Sequence, residues 1–272
     1  MLKIAIGQYY PAQSPIHRMD ARMKLLCTII FITILFFVSN FVGYAFAALF
    51  LFSVIKTSKV PPRYLLRGLR AIFFIILFTA FLNIFFTPTG NELVSFGFLR
   101  ITDHGLLNAA RMASRLVMLI IGSSMLMLTT TPIQMTDAIE FGLKPLKKIG
   151  VPAHEIAMMM TIAMRFIPTL IEEMDKIMKA QMARGADFDT GGIIKKAKSM
   201  VPLLVPLFIS AFRRAEELAL AMEARCYRGD AGRTRMKKMK MRGQDYIALS
   251  IIGMFVAGVF VIEHFAGVFG LL

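Results

Sequence analysis

Long apolar blocks separated by short basic segments constrain this chain more than any other feature. The longest block covers residues 25–55 and is interrupted only by Ser39 and Asn40, and further blocks cover 69–86, 116–128 and 246–262. A helix needs about 20 mainly apolar residues to cross a hydrocarbon core of about 30 Å. Apolar residues make up 57% of the chain, above the roughly 45–50% of soluble domains. The pattern predicts an all-α integral membrane protein.

The number of spans depends on the block 25–55. One helix of that length, at about 1.5 Å per residue, exceeds the thickness of the hydrocarbon core. We therefore interpret the block as a tight hairpin of two short spans, with a single strongly tilted helix as the alternative. The third span is 69–86, the fourth is 116–128 with Met112 as an earlier start, and the fifth is 246–262. The total is about five spans.

The basic residues predict the orientation of these spans. The chain has 32 Lys and Arg against 17 Asp and Glu, which gives a net charge of +15. Five basic residues lie in 56–70, three in 87–115 and twenty in 129–244. The positive-inside rule therefore places the N-terminus, 56–70 and 129–244 in the cytoplasm. Because the charge lies between apolar blocks and not on a soluble module, the pattern does not indicate nucleic-acid binding.

Three regions follow from this topology. Residues 1–128 form an N-terminal transmembrane region of about four spans, 129–244 form a cytoplasmic region, and 245–272 form a C-terminal transmembrane helix. Within 129–244, Thr131 is the expected N-cap and Pro132 the first residue of a short helix that closes near Gly142 or Pro145.

Two long helices follow the short one in the sequence. The first is predicted from Pro152 to just before Gly185, about 30 residues, and the second from about Ile193 to Tyr227. Each contains an apolar run, 156–171 in the first and 201–212 in the second, and becomes charged after it. The apolar part of the first contains Arg165, and that of the second is only twelve residues long. We interpret both as helices beneath the membrane, with their apolar parts against the bilayer or a partner.

Signatures of catalysis and metal binding are missing from the sequence. It has no Walker A motif for ATP, and the pair His154-Glu155 lacks the second histidine of a zinc-protease motif, so we expect a capping or surface pair there. The four histidines are scattered, and we predict no catalytic residue, no metal site and no cofactor bound by this chain. Two alternatives stay open, an integral-membrane enzyme and a standalone secondary carrier. The enzyme needs a cluster of acids and histidines, and the carrier needs charges within its spans, where only Glu263 comes close.

Seven methionines lie between Met158 and Met182. One interpretation is ordinary core filling at helical spacing. The other is an adaptable surface for partners, formed by Met159, Met160 and Met164, because methionine side chains are flexible and polarizable.

The two long helices end alike. The first ends with Ala183, Arg184 and Gly185, the second with Ala224, Arg225 and Cys226, and a glutamate pair precedes each ending. For one helix, the favourable placement of Arg at a C-terminus and a left-handed Gly cap explain such an ending. Its repetition on neighbouring helices indicates a shared role.

These endings, the basic stretch 17–24 and the segment 164–168 resemble the transmembrane T component of energy-coupling factor transporters, the vitamin-importing branch of the ABC family. The resemblance covers nearly the whole chain. It implies that Arg184 and Arg225 each dock in a groove on one of two ABC-type ATPase subunits, which hold ATP and Mg. Cys226 departs from the family pattern, which has glycine there.

The resemblance also implies a function and a location. The chain would be the non-enzymatic scaffold of an ATP-driven vitamin or micronutrient importer in the plasma membrane of a prokaryote. Its helices would contact a membrane-embedded, substrate-binding S component, and Met159, Met160 and Met164 are the candidate contacts. The transported substrate would be chosen by the S component and not by this chain.

Overall fold

The computed structural model describes residues 9–86, 92–96, 99–150, 152–186, 188, 192–229 and 241–268. The described chain divides into two compact units. The membrane unit lies within residues 7–138 and 239–272, and the long-helix unit lies within 139–238. The elements, in chain order, are α1 (Pro15–Arg18), α2 (Ala21–Phe37), α3 (Phe41–Ser58), α4 (Pro62–Phe86), β1 (Glu92–Phe96), β2 (Leu99–Thr102), α5 (Asp103–Thr129), α6 (Pro132–Leu143), a 3-10 helix (Lys144–Ile149), α7 (Ala153–Ala183), α8 (Ile193–Ala224) and α9 (Gly243–Val268).

The predicted α-helical membrane fold is confirmed, and the block 25–55 is a helical hairpin. Helix α2 ends at Phe37 and α3 begins at Phe41, so the alternative of one tilted helix is wrong. In the membrane unit α2 and α3 each pack against α5 and α9, while α4 lies along α5.

The segment between α4 and α5 contains a short antiparallel hairpin that the sequence argument did not predict. Its strands β1 and β2 pair Glu92 with Thr102 and Phe96 with Leu99, with an irregularity between Glu92 and Val94. A hairpin of this size is marginal alone, and its second strand packs against α4 and α5.

Helix α5 starts earlier than predicted. The side chain of Thr102 caps it by accepting a hydrogen bond from the Gly105 N–H at 3.1 Å, and the helix is continuous from Asp103 to Thr129. The predicted start at Leu116 or Met112 was wrong because Arg111 and Arg115 interrupt the apolar run without interrupting the helix.

Helices α3, α5, α7 and α9 are long and apolar enough to cross a membrane, and α4, which bends by 57° between Arg70 and Ile72, makes a fifth candidate. Helix α2 is shorter, at 17 residues. The five predicted spans correspond to α2, α3, α4, α5 and α9. Helix α7 is the least apolar of the four. Its length and hydropathy would allow a span, whereas Arg165 and its charged second half favour the cytoplasmic region. Its assignment to the cytoplasmic region therefore stays a prediction.

An aromatic cluster forms the centre of the membrane unit. Phe255 of α9 is 2% exposed, and its ring lies 4.3 Å from that of Phe50 and 5.7 Å from those of Phe31 and Phe46, centroid to centroid. Offset ring pairs of this kind add about 0.5–1.5 kcal/mol each beyond their buried area. The cluster joins α2, α3 and α9.

One end of the membrane unit is held by Asp245, at the start of α9. Its side chain is 1% exposed and accepts hydrogen bonds from the backbone N–H of Asp20, at 2.9 Å, and of Arg242, at 2.7 Å. Asp20 in turn caps α2 by accepting from the Arg22 N–H at 3.1 Å. One carboxylate therefore joins the first turns of α2 and α9.

The other end is held by Glu263, which the sequence argument noted as the acid nearest to a span. It accepts from the backbone N–H groups of Ser39 and Asn40, at 2.9 and 3.3 Å, and from the Asn40 side chain at 3.0 Å. Arg115 donates to the Val38 carbonyl at 2.9 Å. The turn between α2 and α3 is thus satisfied by side chains of α9 and α5. Glu263 follows Asp245 by 18 residues, about 27 Å along a helix, close to the thickness of a bilayer core.

Close helix packing in the membrane unit depends on glycine. A Cβ built on Gly122 of α5 would lie 2.8 Å from a ring carbon of Phe31, whose side chain is buried. We expect Gly122→Ala to destabilise the fold by about 1–3 kcal/mol through overpacking, seen as a lower midpoint of thermal unfolding in detergent. Gly253→Ala in α9, which meets nothing within 4 Å, is the control and should be neutral or slightly stabilising. Equal midpoints for both variants would contradict this packing.

Candidate functional site

The long-helix unit contains the two helices that carry the repeated endings. Helix α7 has 31 residues and α8 has 32, so each is about 45–48 Å long. Their observed bounds confirm the predicted long helices, and α7 continues through Pro168. The short helix α6 begins as predicted, because Thr131 and Gln134 exchange hydrogen bonds in a capping box.

The two long helices are joined by Glu173 of α7. Its carboxylate accepts one hydrogen bond from the Ser210 hydroxyl and another, at 3.0 Å, from the Arg214 guanidinium, both on α8. Glu173 is one of the four glutamates that precede the two endings. The other pair, Glu216 and Glu217, is exposed, so the two glutamate pairs differ in the structure.

His154, at the start of α7, has a different partner from the one expected. Its Nδ1 lies 3.6 Å from Oε1 of Glu140, a buried carboxylate of α6. The sequence, which suggested a capping or surface pair of His154 and Glu155, gave no indication of this contact with α6.

The end of α7 is a Schellman motif, a backbone arrangement that closes a helix with a left-handed residue. Arg184 is the C-cap and Gly185 has φ +89°. The N–H of Gly185 donates to the Met182 carbonyl, and the N–H of Ala186 donates to the Gln181 carbonyl, both at 3.0 Å. Gly185 suits the position because glycine lacks a Cβ.

The end of α8 repeats this geometry with a cysteine in the glycine position. Arg225 is the C-cap, and Cys226 has φ +55°. The N–H of Cys226 donates to the Glu223 carbonyl at 2.8 Å, and that of Tyr227 to the Met222 carbonyl at 3.0 Å. Cys226 thus adopts the left-handed conformation despite the cost of about 1–2 kcal/mol for a residue with a Cβ.

The two arginines share one backbone geometry. Their φ and ψ angles are −89° and 8° at Arg184, and −93° and 13° at Arg225. Arg184 follows Glu173 by eleven residues, and Arg225 follows Arg214 by eleven, about 16 Å along each helix. The salt bridge between Glu173 and Arg214 is therefore equally far along each helix from the two endings.

Every residue of the two endings is exposed, namely Ala183, Arg184, Gly185, Ala224, Arg225 and Cys226. Among the described residues neither arginine forms an ion pair. The planar set of N–H donors of each guanidinium is therefore accessible at the surface of the described chain.

The methionines singled out from the sequence lie on α7. Met159 is exposed, whereas Met160 and Met164 are half-buried. The three therefore form a mixed surface and not an enclosed core.

A larger apolar surface lies on α8, in the twelve-residue apolar part that the sequence placed against the bilayer or a partner without naming its exposed residues. Its exposed members, here called the α8 apolar face, are Val201, Leu204, Val205, Phe208, Ile209 and Phe212. The spacing of three and four residues along 201–212 is the signal that identifies these residues as one helix face. The group is larger than the scattered exposed apolar residues of ordinary soluble surfaces.

Comparison with known proteins decides the family. A family model described as cobalt transport protein matches residues 12–237. The energy-coupling factor transporter transmembrane protein EcfT of Clostridium kluyveri is 58% identical over 246 residues, or 90% of this chain and 91% of that protein. The EcfT of Thermosediminibacter oceani is 54% identical over 258 residues, or 95% of this chain and 97% of that protein. The EcfT of Bacillus subtilis is 48% identical over 245 residues, or 90% and 92%.

The chain belongs to the EcfT family. The resemblance inferred from the sequence is confirmed, and the protein is the transmembrane T component of an energy-coupling factor transporter. Among the described residues no three His, Cys, Asp or Glu side chains are grouped as metal ligands.

The two helix endings generate a stability prediction. Cys226→Gly should remove the cost of the left-handed conformation and stabilise the end of α8 by about 1 kcal/mol, whereas Gly185→Ala should destabilise the end of α7 by about the same amount. Hydrogen exchange at the amides of Cys226 and Gly185 measures each effect. Cys226→Ala is the control, since it keeps the Cβ and should leave exchange unchanged. Faster exchange in Cys226→Gly would contradict the prediction.

Proposed function

We propose that this T component couples two ABC-type ATPase subunits to a membrane-embedded S component, so that ATP-driven motion powers uptake of a vitamin or another micronutrient. The observation that carries the proposal is the pair of exposed arginines, Arg184 and Arg225, held at the C-caps of two long helices in the same backbone geometry.

Each arginine docks in a groove on one ATPase. A guanidinium provides a planar fork of donors that suits acidic or carbonyl-lined surfaces. The Schellman motif supports this role because it fixes the backbone around each arginine with two hydrogen bonds, which lowers the entropy lost on binding. The ATPases hold ATP and Mg, and this chain supplies no catalytic group.

The salt bridge between Glu173 and Arg214 supports a mechanical role for the two helices. It joins α7 to α8, and each ending lies about 16 Å farther along its helix. When the ATPases close on ATP, the two endings are drawn together or apart, and the helices carry this displacement past the joint towards their apolar halves. Those halves then move against the S component.

The α8 apolar face is the main contact for the S component, and Met159, Met160 and Met164 of α7 extend it. Exposed apolar groups of this number favour burial against a bilayer or a partner, and methionine allows repacking against more than one partner. The proposed location is the plasma membrane of a prokaryote, with the endings of α7 and α8 in the cytoplasm, as the distribution of basic residues predicts.

Substitution of the arginines tests ATPase docking. Arg184→Ala or Arg225→Ala should cost about 2–5 kcal/mol at one contact, as for other buried charged anchors, yet the other helix still tethers the complex. Each single variant should therefore assemble partly but transport poorly, and the double variant should lose both ATPases. The measurements are ATPase retention on the purified complex and substrate uptake in vesicles.

Two variants control this experiment. Arg228→Ala removes an exposed arginine three residues beyond Arg225 and should leave assembly and uptake unchanged. Lys at position 184 or 225 keeps the charge without the planar fork and should rescue poorly. Normal assembly and uptake by the double Ala variant would show that the arginines are only helix caps.

Substitution of the α8 apolar face tests the S component contact separately. Replacement of Phe208 and Phe212, which are 61% and 70% exposed, by Gln should release the S component because apolar area is lost. Both ATPases should stay bound, since the endings are intact. Replacement of both by Leu is the matched control and should retain the S component. Retention of the S component by the double Gln variant would contradict the assignment.

A further inference from the structure

The membrane unit contains a cleft of about 370 Å³ between α2, α3, α5 and α9, beside α1. This volume is within the roughly 300–1,000 Å³ range of ligand pockets. Nothing in the proposed coupling function uses it.

Most polar groups of the cleft lie at one end, here called its mouth, while the hydroxyls of Thr28 and Ser53, about one turn farther in, donate to backbone carbonyls of their own helices. Lys24 of α2, Thr57 of α3, Thr129 of α5 and Gln244 of α9 all line it there. These residues lie in the first turns of α2 and α9 and the last turns of α3 and α5. The mouth is therefore on the same end of the membrane unit as Asp245, close to one interface of the bilayer.

Two turns farther into the membrane, the same four helices line the cleft with Phe31, Phe50, Gly122 and Ile251. Each follows or precedes its polar counterpart on the same helix by seven residues, which is about 10 Å. The cleft therefore changes from polar to apolar along the membrane normal. A phospholipid in that leaflet has the same gradient, with its headgroup at the interface and its chains in the interior.

The cleft is open at the surface of the membrane unit. Its edges include Ser53 of α3 and Ile247 and Ile251 of α9, which are exposed, whereas Leu51 and Ile252 in its floor are buried. Because α3 and α9 are apolar helices that can cross the membrane, an opening between them is accessible to a lipid chain from the side.

Lys24 provides a donor at the mouth. Its side chain is 5% exposed, and its ammonium donates to the carbonyls of Thr129, at 2.8 Å, and His17, at 3.2 Å. An ammonium has three N–H groups, so among the described contacts one remains for an acceptor in the cleft. Asp20 and Asp245 lie near enough to stabilise the positive charge.

We propose that this cleft binds one acyl chain of a membrane phospholipid, with an ester or phosphate oxygen of the same lipid accepting a hydrogen bond from Lys24. An apolar side chain of a partner protein would fill the inner part but would leave the ammonium without an acceptor. The phospholipid satisfies both ends of the cleft.

Cys27 reports on occupancy of the cleft directly. It lines the cleft between Lys24 and Phe31, and the chain has two cysteines, so Cys226→Ser leaves Cys27 as the single thiol. The purified full chain is first freed of lipid in a rigid steroid detergent, which has no flexible chain to enter the cleft. It is then treated with N-ethylmaleimide, and the alkylation of Cys27 is followed by intact-protein mass spectrometry. Adding a long-chain phosphatidylglycerol should slow alkylation about tenfold at about ten times its Kd, because only the unoccupied fraction reacts.

Filling the cleft tests whether protection arises there. Ala248, which is half-buried and lines the cleft, is replaced by Phe in the Cys226→Ser background. This variant should lose the lipid-dependent change in alkylation and retain no lipid in native mass spectrometry. Its control is Leu249→Phe on the neighbouring exposed residue, which should behave as the parent. If Ala248→Phe does not fold, Ser53→Phe at the exposed edge replaces it.

The remaining outcomes decide against the proposal. The proposal would be overturned if phosphatidylglycerol did not change the rate of Cys27 alkylation. It would also be overturned if the lipid protected Cys27 equally well in the parent and in whichever of Ala248→Phe or Ser53→Phe folds. Equal protection by glycerol phosphate, which has the headgroup chemistry but no chain, would show an anion site instead of an acyl-chain site. Protection by co-purified partner subunits but not by lipid would identify a protein occupant.

Discussion

The membrane unit depends on the two carboxylates of α9. Within a bilayer, a backbone N–H group without a partner costs several kcal/mol, and the break between α2 and α3 exposes such groups. Glu263 accepts from the N–H groups of Ser39 and Asn40 at that break, and Asp245 accepts from the Asp20 N–H at the opposite end. Helix α9 therefore closes both ends of the bundle, and the aromatic cluster around Phe255 packs between these two points.

This arrangement explains why charged residues are tolerated next to the apolar core. Glu263 lies at the end of an apolar span, a position that in a carrier indicates ion coupling. Here its oxygens are occupied by the backbone and side chain of the α2–α3 turn. Two of the three N–H groups of Lys24 are likewise occupied by backbone carbonyls, and the third faces the cleft proposed above. These charges lie at the two ends of the membrane unit and leave its interior apolar, apart from the polar mouth of the cleft.

The long-helix unit follows a different principle, because its special residues are exposed. The two Schellman motifs need only a left-handed residue after each C-cap, and they hold Arg184 and Arg225 in one geometry. Cys226 adopts the left-handed conformation although it has a Cβ. The ending therefore depends on this backbone geometry more than on glycine itself. The salt bridge between Glu173 and Arg214 joins the two helices at a point that lies eleven residues before each arginine.

The apolar blocks, the break at Ser39 and Asn40, and the two long helices with their matching endings were determined by the sequence alone. Each is a local property of hydropathy, of helix length against bilayer thickness or of capping chemistry. Family membership also followed from the sequence, because the repeated Ala-Arg endings are contiguous motifs.

Only the tertiary structure decided which residues satisfy one another across the chain. The partners of Glu263, Glu173 and His154 are distant in sequence or lie on another helix. The exposure of the α8 apolar face and the cleft beside Lys24 depend on which helix faces are left uncovered. No periodic pattern specifies these features, since an apolar residue fits equally well against a neighbouring helix, a lipid chain or a partner protein.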